Sequence, residues 1–265
     1  MDQLQTDHLK AYGVAFWTLK NGEEVDWLLN YRGGSFMLNY NAILERELTI
    51  RGVYFEPINT AILTDIFAQI EENNMDMVLL EKLPKIAVYS PPDKQPWDDA
   101  VTLALTYAEI DYEVIFDEQV LTDKLEDYDW LHLHHEDFTG QYGKFYKNYH
   151  NAAWYKNMEM QFNATANKFG FPSVHELKKQ IAAKIKSYIQ NGGFLFAMCS
   201  ATDSFDIALA AQNVDIVNSV YDRTPVDPNY RNKMDFTNSV AFENYNLYTN
   251  PMTYEYSTID VPPSH

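Results

Sequence analysis

The stretch GGFLFAMCSATDSFDIALAA, residues 192–211, decides the fold because it reads as a strand, a polar turn and a helix. The apolar run 194–198 is too short for a buried helix and follows two glycines, which favours a strand buried in a parallel sheet. The polar residues after it can cap a helix that packs through its alanines and Ile207. Cys199 therefore stands between the carboxyl end of a strand and the amino end of a helix.

Cys199 is the only cysteine and the candidate nucleophile. The partial positive charge of a helix amino end favours a thiolate, and the turn is similar to the strand-to-helix elbow that exposes a nucleophile in hydrolases. Backbone N–H groups near Ser200 are then expected to form an oxyanion hole. The alternative is a structural role, because free cysteine is often buried as a small apolar side chain. A single cysteine excludes an internal disulfide.

Composition narrows the classes of partner. The chain of 265 residues carries 38 acidic and 20 basic side chains, and its net charge of −18 repels nucleic-acid phosphates and anionic lipids. No apolar stretch reaches the roughly 20 residues that cross a bilayer, and the amino terminus is too polar for a signal peptide. We predict no nucleic-acid partner and no direct membrane insertion.

Helices and strands alternate along most of the chain, which predicts an α/β fold with a doubly wound, mostly parallel sheet, of the flavodoxin-like kind. Predicted helices cover 8–20, 41–51, 61–72, 98–110, 118–125 and 152–191, the last broken near 170–172. Predicted strands cover 25–31, 53–57, 86–89, 113–116, 130–134 and 194–198. These patterns indicate an N-terminal α/β unit over 1–83, a unit carrying Cys199 over 84–218, and an irregular tail of short strands and loops over 219–265.

The run WLHLHHEDFTG, residues 130–140, is the second functional signal. Ligands of open α/β sheets bind beyond the carboxyl ends of the strands, where Ser90, Asp117 and this run are expected. We expect His134, His135 and Glu136 to assist the cysteine, because their strand precedes the cysteine strand in the same unit and should lie beside it. Imidazole and carboxylate are also metal ligands, but the spacing matches no metal motif, so we predict no metal and no other cofactor.

Two weaker signals concern binding. Arg32, Gly33 and Gly34 follow a strand, where the glycines permit close backbone approach and the guanidinium could hold an anion, although a plain turn is the alternative. The sequence SATDS, residues 200–204, resembles the pyrophosphate loop of ATP-dependent amide-forming synthetases. Ser200 and Asp203 fit that loop as binding residues. Ala201 and Thr202 replace its two glycines, which disfavours a phosphate cradle.

The elbow is similar to that of the class I glutamine amidotransferase-like superfamily, and within it of the trehalose-utilisation (ThuA-like) branch. Members of that branch carry two glycines, a strand and then His-Ser-Ala-Thr-Asp; here Cys199 takes the histidine position. A wider resemblance links the chain to Bacteroidota proteins labelled asparagine synthetase B. It is carried by the segments HLKAYGVAFWTL, WLLNYRGGSFM, KQPWDDAVTLALTYAEI, YDWLHLHHEDFTGQYG and FAMCSATDSFDIALAA.

The resemblance implies a cysteine-dependent amide hydrolase, or glutamine amidotransferase-like protein, that acts on a small-molecule amide. True asparagine synthetases of that name have an N-terminal catalytic cysteine and a glycine-bearing loop, and this chain has neither. An amidotransferase cysteine also needs a downstream histidine, and only His265 follows Cys199. The alternative is therefore a non-catalytic binding or scaffold protein with a protein partner, part of a larger assembly.

The resemblance further implies a compartment and a length. Members of the group are longer and often begin with an export signal, so a periplasmic location and a truncated or processed chain are expected. A cytoplasmic location is the alternative.

Overall fold

The computed structural model describes residues 4–92 and 100–260, which form two compact units. Unit 1 contains residues 4–84 and 100–112, and unit 2 contains residues 85–92 and 113–260. The first two residues of the predicted helix 98–110 and the terminal His265 lie outside the described residues.

Unit 1 is a three-stranded antiparallel sheet with four helices. The helices are α1 (His8–Lys20), α2 (Ala42–Ile50), α3 (Thr60–Glu72) and α4 (Ala100–Ala108). The strands β1 (Val25–Leu29), β2 (Ser35–Leu38) and β3 (Asp76–Leu80) pair in the order β2-β1-β3. Asp7, Asn41 and Asn59 cap the first three helices by accepting a backbone N–H, which is why these helices begin where they do.

The predicted parallel pairing of this first segment is wrong, because both of its strand pairs are antiparallel. A tight connection reverses the chain after β1, with positive φ at Asn30 (64°), Gly33 (79°) and Gly34 (104°). A parallel crossover needs a dozen or more residues, and five separate β1 from β2. The strand predicted over 53–57 does not form, whereas β2 and β3 were not predicted.

Unit 2 confirms the α/β class with a parallel sheet. Its strands β4 (Ile86–Tyr89), β5 (Glu113–Ile115), β6 (Trp130–Leu133) and β7 (Phe194–Ala197) are all parallel, in the order β5-β4-β6-β7. The helices are α5 (Asp117–Leu121), α6 (Tyr146–Tyr149), α7 (Ala153–Lys168), α8 (Val174–Gln190), α9 (Ser200–Ala210), α10 (Ser219–Asp222) and α11 (Tyr230–Lys233). The order makes β6 and β7 neighbours, so their carboxyl ends meet.

Helix α8 shows how the core of unit 2 is built. Ser173 caps it by accepting the N–H of Glu176, and Leu177, Ile181 and Ile185 face the core without exposed area. Each such side chain stabilises the fold by roughly 1.5–3 kcal/mol. The helix has 17 residues and four lysines. No helix within 4–92 and 100–260 has the length and apolar character that a membrane crossing requires.

The segment after α9 is irregular, as expected, but it holds short helical turns and one isolated bridge, Leu247 to Ser257, in place of several short strands. Buried Asp206 anchors it by accepting three backbone N–H groups, each at 2.7 Å, from Val240, Ala241 and Phe242. Charge-assisted hydrogen bonds of this kind fix a segment that has little regular structure of its own.

Candidate active site

Cys199 occupies a strained elbow between β7 and α9. Its backbone has φ 51° and ψ −143°, a combination that side chains rarely adopt and that costs about 1–3 kcal/mol. The side chain is exposed, so the strain is not offset by packing of the sulfur. Strain of this kind at an exposed nucleophilic side chain points to chemistry, because the exposed thiol adds no buried packing.

The loop that follows β6 is tied to this elbow. Several hydrogen bonds join the two segments, among them Met198 N to Leu133 O (3.1 Å), Ala201 N to His134 O (3.1 Å), Ser200 Oγ to His135 O (3.0 Å) and Ser204 Oγ to Glu136 O (2.8 Å). The backbone that carries both histidines is therefore fixed against the first turn of α9. This position was expected from the parallel pairing of neighbouring strands.

His134, His135 and Cys199 form one cluster. An imidazole nitrogen of each histidine and the Cys199 Sγ all lie within 4.8 Å of one another. The two imidazole rings stack, with centroids 3.5 Å apart. Exposure increases from buried His134 through half-buried His135 to the exposed thiol, so the cluster opens to solvent at the sulfur. Either imidazole can exchange a proton with the thiol after a small side-chain rotation or through one water molecule.

The first turn of α9 offers one unused backbone donor. Ala201 N–H is taken by His134 O and Thr202 N–H by Cys199 O, both at 3.1 Å. Ser200 N–H has no acceptor in the described part of the chain. It belongs to the residue directly after the cysteine, where hydrolase elbows place an oxyanion donor. The helix dipole adds partial positive charge at the same point.

Glu136 and Asp203 are both buried. One Glu136 carboxylate oxygen accepts the backbone N–H of His134 at 2.7 Å, which holds the loop that carries the histidines. Asp203 has no exposed area, and burial raises its pKa to about 8, with the nearby charge of Asp260 adding to the shift. Its buried side chain, in the first turn of α9, is therefore a neutral acid at pH 7.

Tyr254, in the irregular segment after α9, is the functional candidate that sequence reasoning missed. Its pKa is raised by partial burial and next by its electrostatic interaction with Cys199. The residue is 57% exposed and therefore open to a ligand. Nothing in the tyrosine-rich stretch 245–256 distinguishes this residue by spacing, so the sequence offered no signal for it.

Arg32, Gly33 and Gly34 lie in unit 1, where they line a cavity of about 550 Å³ together with aromatic side chains such as Trp27. Arg32 makes two hydrogen bonds to the Glu56 carboxylate, at 3.1 and 3.3 Å. The pKa of Glu56 is lowered, first by Tyr54 and then by Arg32. The guanidinium that was expected to hold an anion therefore already faces a carboxylate of its own unit.

Asp117, a second residue expected at the carboxyl edge of the sheet, is used in a buried ion pair. Lys178 Nζ lies 2.8 Å from its Oδ1, and both side chains are almost wholly inaccessible. Tyr89 hydrogen-bonds to the same carboxylate, and burial followed by the Asp117 charge raises the Tyr89 pKa. Lys178 was not predicted, although its place four residues after Val174 on the apolar face of α8 was a signal.

Comparison with models of protein families, with curated proteins and with solved structures found no match. The resemblance to the amidotransferase-like superfamily stays a prediction. The case for a function therefore depends on the geometry of the cluster around Cys199.

Proposed function

We propose that the protein is a cysteine-dependent amide hydrolase with Cys199 as its nucleophile. The observation that carries the proposal is the elbow itself: a backbone strained at φ 51° presents an exposed thiol beside His134 and His135. A fold that used the cysteine only for packing would bury the sulfur and relax the backbone.

The chemistry is acyl transfer in two steps. One imidazole takes the thiol proton, and the thiolate attacks the amide carbonyl carbon, while Ser200 N–H stabilises the resulting oxyanion. The intermediate collapses to a thioester as the C–N bond breaks, and the imidazolium gives its proton to the departing amine. Water then attacks the thioester with the imidazole as base, which releases the carboxylic acid and restores the thiol.

His135 is the better placed of the two bases. It is half-buried, whereas His134 is buried, so His135 is the more accessible base beside the exposed sulfur. The Ser200 hydroxyl holds the His135 carbonyl at 3.0 Å, so the residue after the nucleophile also positions the base. A histidine from the preceding strand loop thereby takes the role that amidotransferases give to a downstream histidine.

The synthetase alternative is disfavoured by the same hydrogen bonds. A pyrophosphate loop needs free N–H groups, and those of Ala201 and Thr202 already donate to protein carbonyls. Asp203 and Ser204, which would contact metal or phosphate, have no exposed area. The SATDS sequence therefore supports amide hydrolysis better than ATP-dependent amide synthesis.

A non-catalytic binding protein is the second candidate, and the aromatic-lined cavity of unit 1 is the observation that favours it. Tyr12, Tyr40 and Tyr54 line it with 41%, 70% and 45% of their surfaces exposed, so stacking surface is available to a ligand. A binding protein of this kind would keep its ligand affinity when Cys199 is replaced. The hydrolase would not keep its turnover.

The proposal is tested by ammonia release from L-glutamine, L-asparagine and short aliphatic amides. We expect the EDTA-treated wild-type chain to hydrolyse at least one of them and EDTA-treated Cys199→Ala to hydrolyse none. The matched control Ser187→Ala, an exposed serine of α8, should retain full turnover. Equal ammonia release by the wild-type and Cys199→Ala proteins, or none by either, would overturn the hydrolase assignment.

A further inference from the structure

The cluster around Cys199 has the ligand chemistry of a zinc site. Zinc binds thiolate sulfur at about 2.3 Å and imidazole nitrogen at about 2.0–2.1 Å, preferably with tetrahedral geometry. Ligand atoms of such a site are separated by roughly 3.3–3.7 Å, as these bond lengths require. In the structure, the two imidazole nitrogens and the sulfur lie within 4.8 Å of one another. A contraction of at most about 1.5 Å completes the geometry, which rotation of the exposed Cys199 and half-buried His135 side chains can supply.

The backbone around these side chains is already fixed for such a role. The carbonyl of His134 accepts Ala201 N–H and the carbonyl of His135 accepts Ser200 Oγ, so both histidines are held against the turn that carries the cysteine. Little backbone order has to be gained when a metal binds, and preorganisation of this kind raises affinity.

We propose that His134, His135 and Cys199 bind one zinc ion, and that bound zinc masks the Cys199 thiolate. The consequence for turnover rests on the proposed hydrolase function, whereas zinc binding and thiol masking do not. The expectation of no metal, drawn from spacing alone, considered the histidine run without the cysteine that the fold brings to it.

The binding step balances without any redox partner. Zinc displaces the thiol proton to solvent as the zinc–sulfur bond forms, and each imidazole donates a lone pair in its neutral form. Because all three ligands must be deprotonated, affinity falls as pH falls. Since the sulfur is the exposed end of the cluster, the fourth zinc position faces water and the ion can exchange with solvent. A chelator should therefore reverse the masking.

The test uses the full chain, first stripped with EDTA and then titrated with zinc sulfate. Zinc binding is measured by calorimetry, and thiol masking by the rate of iodoacetamide alkylation, which reports only Cys199 because the chain has one cysteine. We expect one equivalent of zinc to bind, the alkylation rate to fall at least about tenfold, and EDTA to restore it. Cobalt(II) in place of zinc should give a thiolate-to-cobalt absorption band that Cys199→Ser lacks.

Variants test which residues bind the zinc ion. His135→Gln and Cys199→Ser should each weaken zinc binding by at least about 10–100-fold, the range that even outer-shell changes reach. His150→Gln, which alters an exposed histidine outside the cluster, should leave the affinity unchanged. His135 is only half-buried, so its variant is expected to fold, and circular dichroism checks this.

Two results would overturn the zinc site: an alkylation rate that zinc does not change, or equal zinc affinity in the wild-type and His135→Gln proteins. Failure of the proposed hydrolase function would give a different result from failure of the zinc site. Zinc protection of the thiol without ammonia release by the EDTA-treated protein would support the zinc site and refute the hydrolase. Fast turnover that zinc does not inhibit would refute the masking and support the hydrolase.

Discussion

The two halves of one sheet edge in unit 2 use polar residues in opposite ways. Where β4 and β5 end, Lys178 and Asp117 form an ion pair with 2% and 1% of their side-chain surfaces exposed. Where β6 and β7 end, two histidines lie beside an exposed thiol whose backbone is strained. The first group is enclosed in the core, and the second opens to solvent.

The difference shows that position at the carboxyl edge of a parallel sheet does not by itself identify a reactive group. Asp117 forms an ion pair with the buried Lys178. The Lys178 Nζ also lies over the rings of Phe116 and Phe162, at 4.3 and 4.9 Å from their centroids. The Asp117 charge is used to hold the fold together. The Cys199 carbonyl accepts two hydrogen bonds from Thr202, but its exposed thiol makes no such structural contact in the part of the chain that the structure describes. The strain of its elbow therefore points to a function of the thiol.

The largest expected effect is on turnover. Cys199→Ala should lower amide hydrolysis by about 10⁴-fold or more, because no other group in the cluster can form the thioester. Initial rates of ammonia release measure this loss. Asp117→Asn should leave the turnover per folded molecule within about threefold of wild type, since the buried pair has no part in the chemistry. If Asp117→Asn lost as much turnover as Cys199→Ala, the two halves of the sheet edge would not differ in their role in catalysis.

The next effect is on stability, and here the Asp117 variant is expected to show the large loss. Asp117→Ala leaves the Lys178 charge buried without its carboxylate, and should lower the free energy of unfolding by about 3–5 kcal/mol. Urea denaturation followed by circular dichroism measures it. The double variant Asp117→Leu with Lys178→Met should recover most of the loss, because no charge is then buried. If Asp117→Ala costs less than about 1 kcal/mol, the pair is not a core contact.

The third effect concerns pH. The folded chain keeps the Asp203 proton up to about pH 8, while the unfolded chain releases it near the ordinary pKa of 3.8. The folded state therefore binds more protons between these two pH values. The stability that the Asp203 proton contributes is complete below pH 4 and is lost as pH rises to 8. Burial lowers the pKa of Lys144 to about 8, so Lys144 changes the pH dependence of stability only above that pH.

Asp203→Asn removes the ionisable group and should flatten this decline, so that the variant loses less stability than wild type between pH 5 and 8, tracked by urea midpoints. Exposed Glu126→Gln is the control and should follow wild type. A variant that loses stability as steeply as wild type would show that Asp203 is not the buried acid responsible.

The smallest effect measures the strain at the elbow. Glycine tolerates φ 51°, so Cys199→Gly should be more stable than Cys199→Ala by about 1 kcal/mol, although both lack the thiol. Paired thermal melts give the difference. An alanine variant as stable as the glycine variant would mean that the backbone at this position is not strained.

Much of the fold followed from local patterns. Helix α1 and strand β4 have the bounds that were predicted, because amphipathic and apolar runs with clear end signals fix both. The antiparallel sheet of unit 1 did not follow, because β3 is largely exposed and carries no alternation of buried and exposed residues. The direction of β2 is set by the short turn after β1, whose glycines we interpreted as a binding loop.

The site was predictable only in part, for a similar reason. The approach of the histidine loop to Cys199 follows from parallel strands being neighbours, which the alternating pattern implied. The Glu56 partner of Arg32 and the electrostatic interaction of Tyr254 with Cys199 join residues distant in sequence. No local spacing encodes them, so they required the folded chain.

The rate of iodoacetamide alkylation of metal-free protein at pH 7 tests the central claim most directly, since Cys199 is the single site of reaction. An activated thiol should react at least about tenfold faster in the native chain than in the chain unfolded in urea, and His135→Gln should remove most of that advantage. A native rate equal to or below the unfolded rate, unchanged by His135→Gln, would contradict the assignment of Cys199 as a nucleophile.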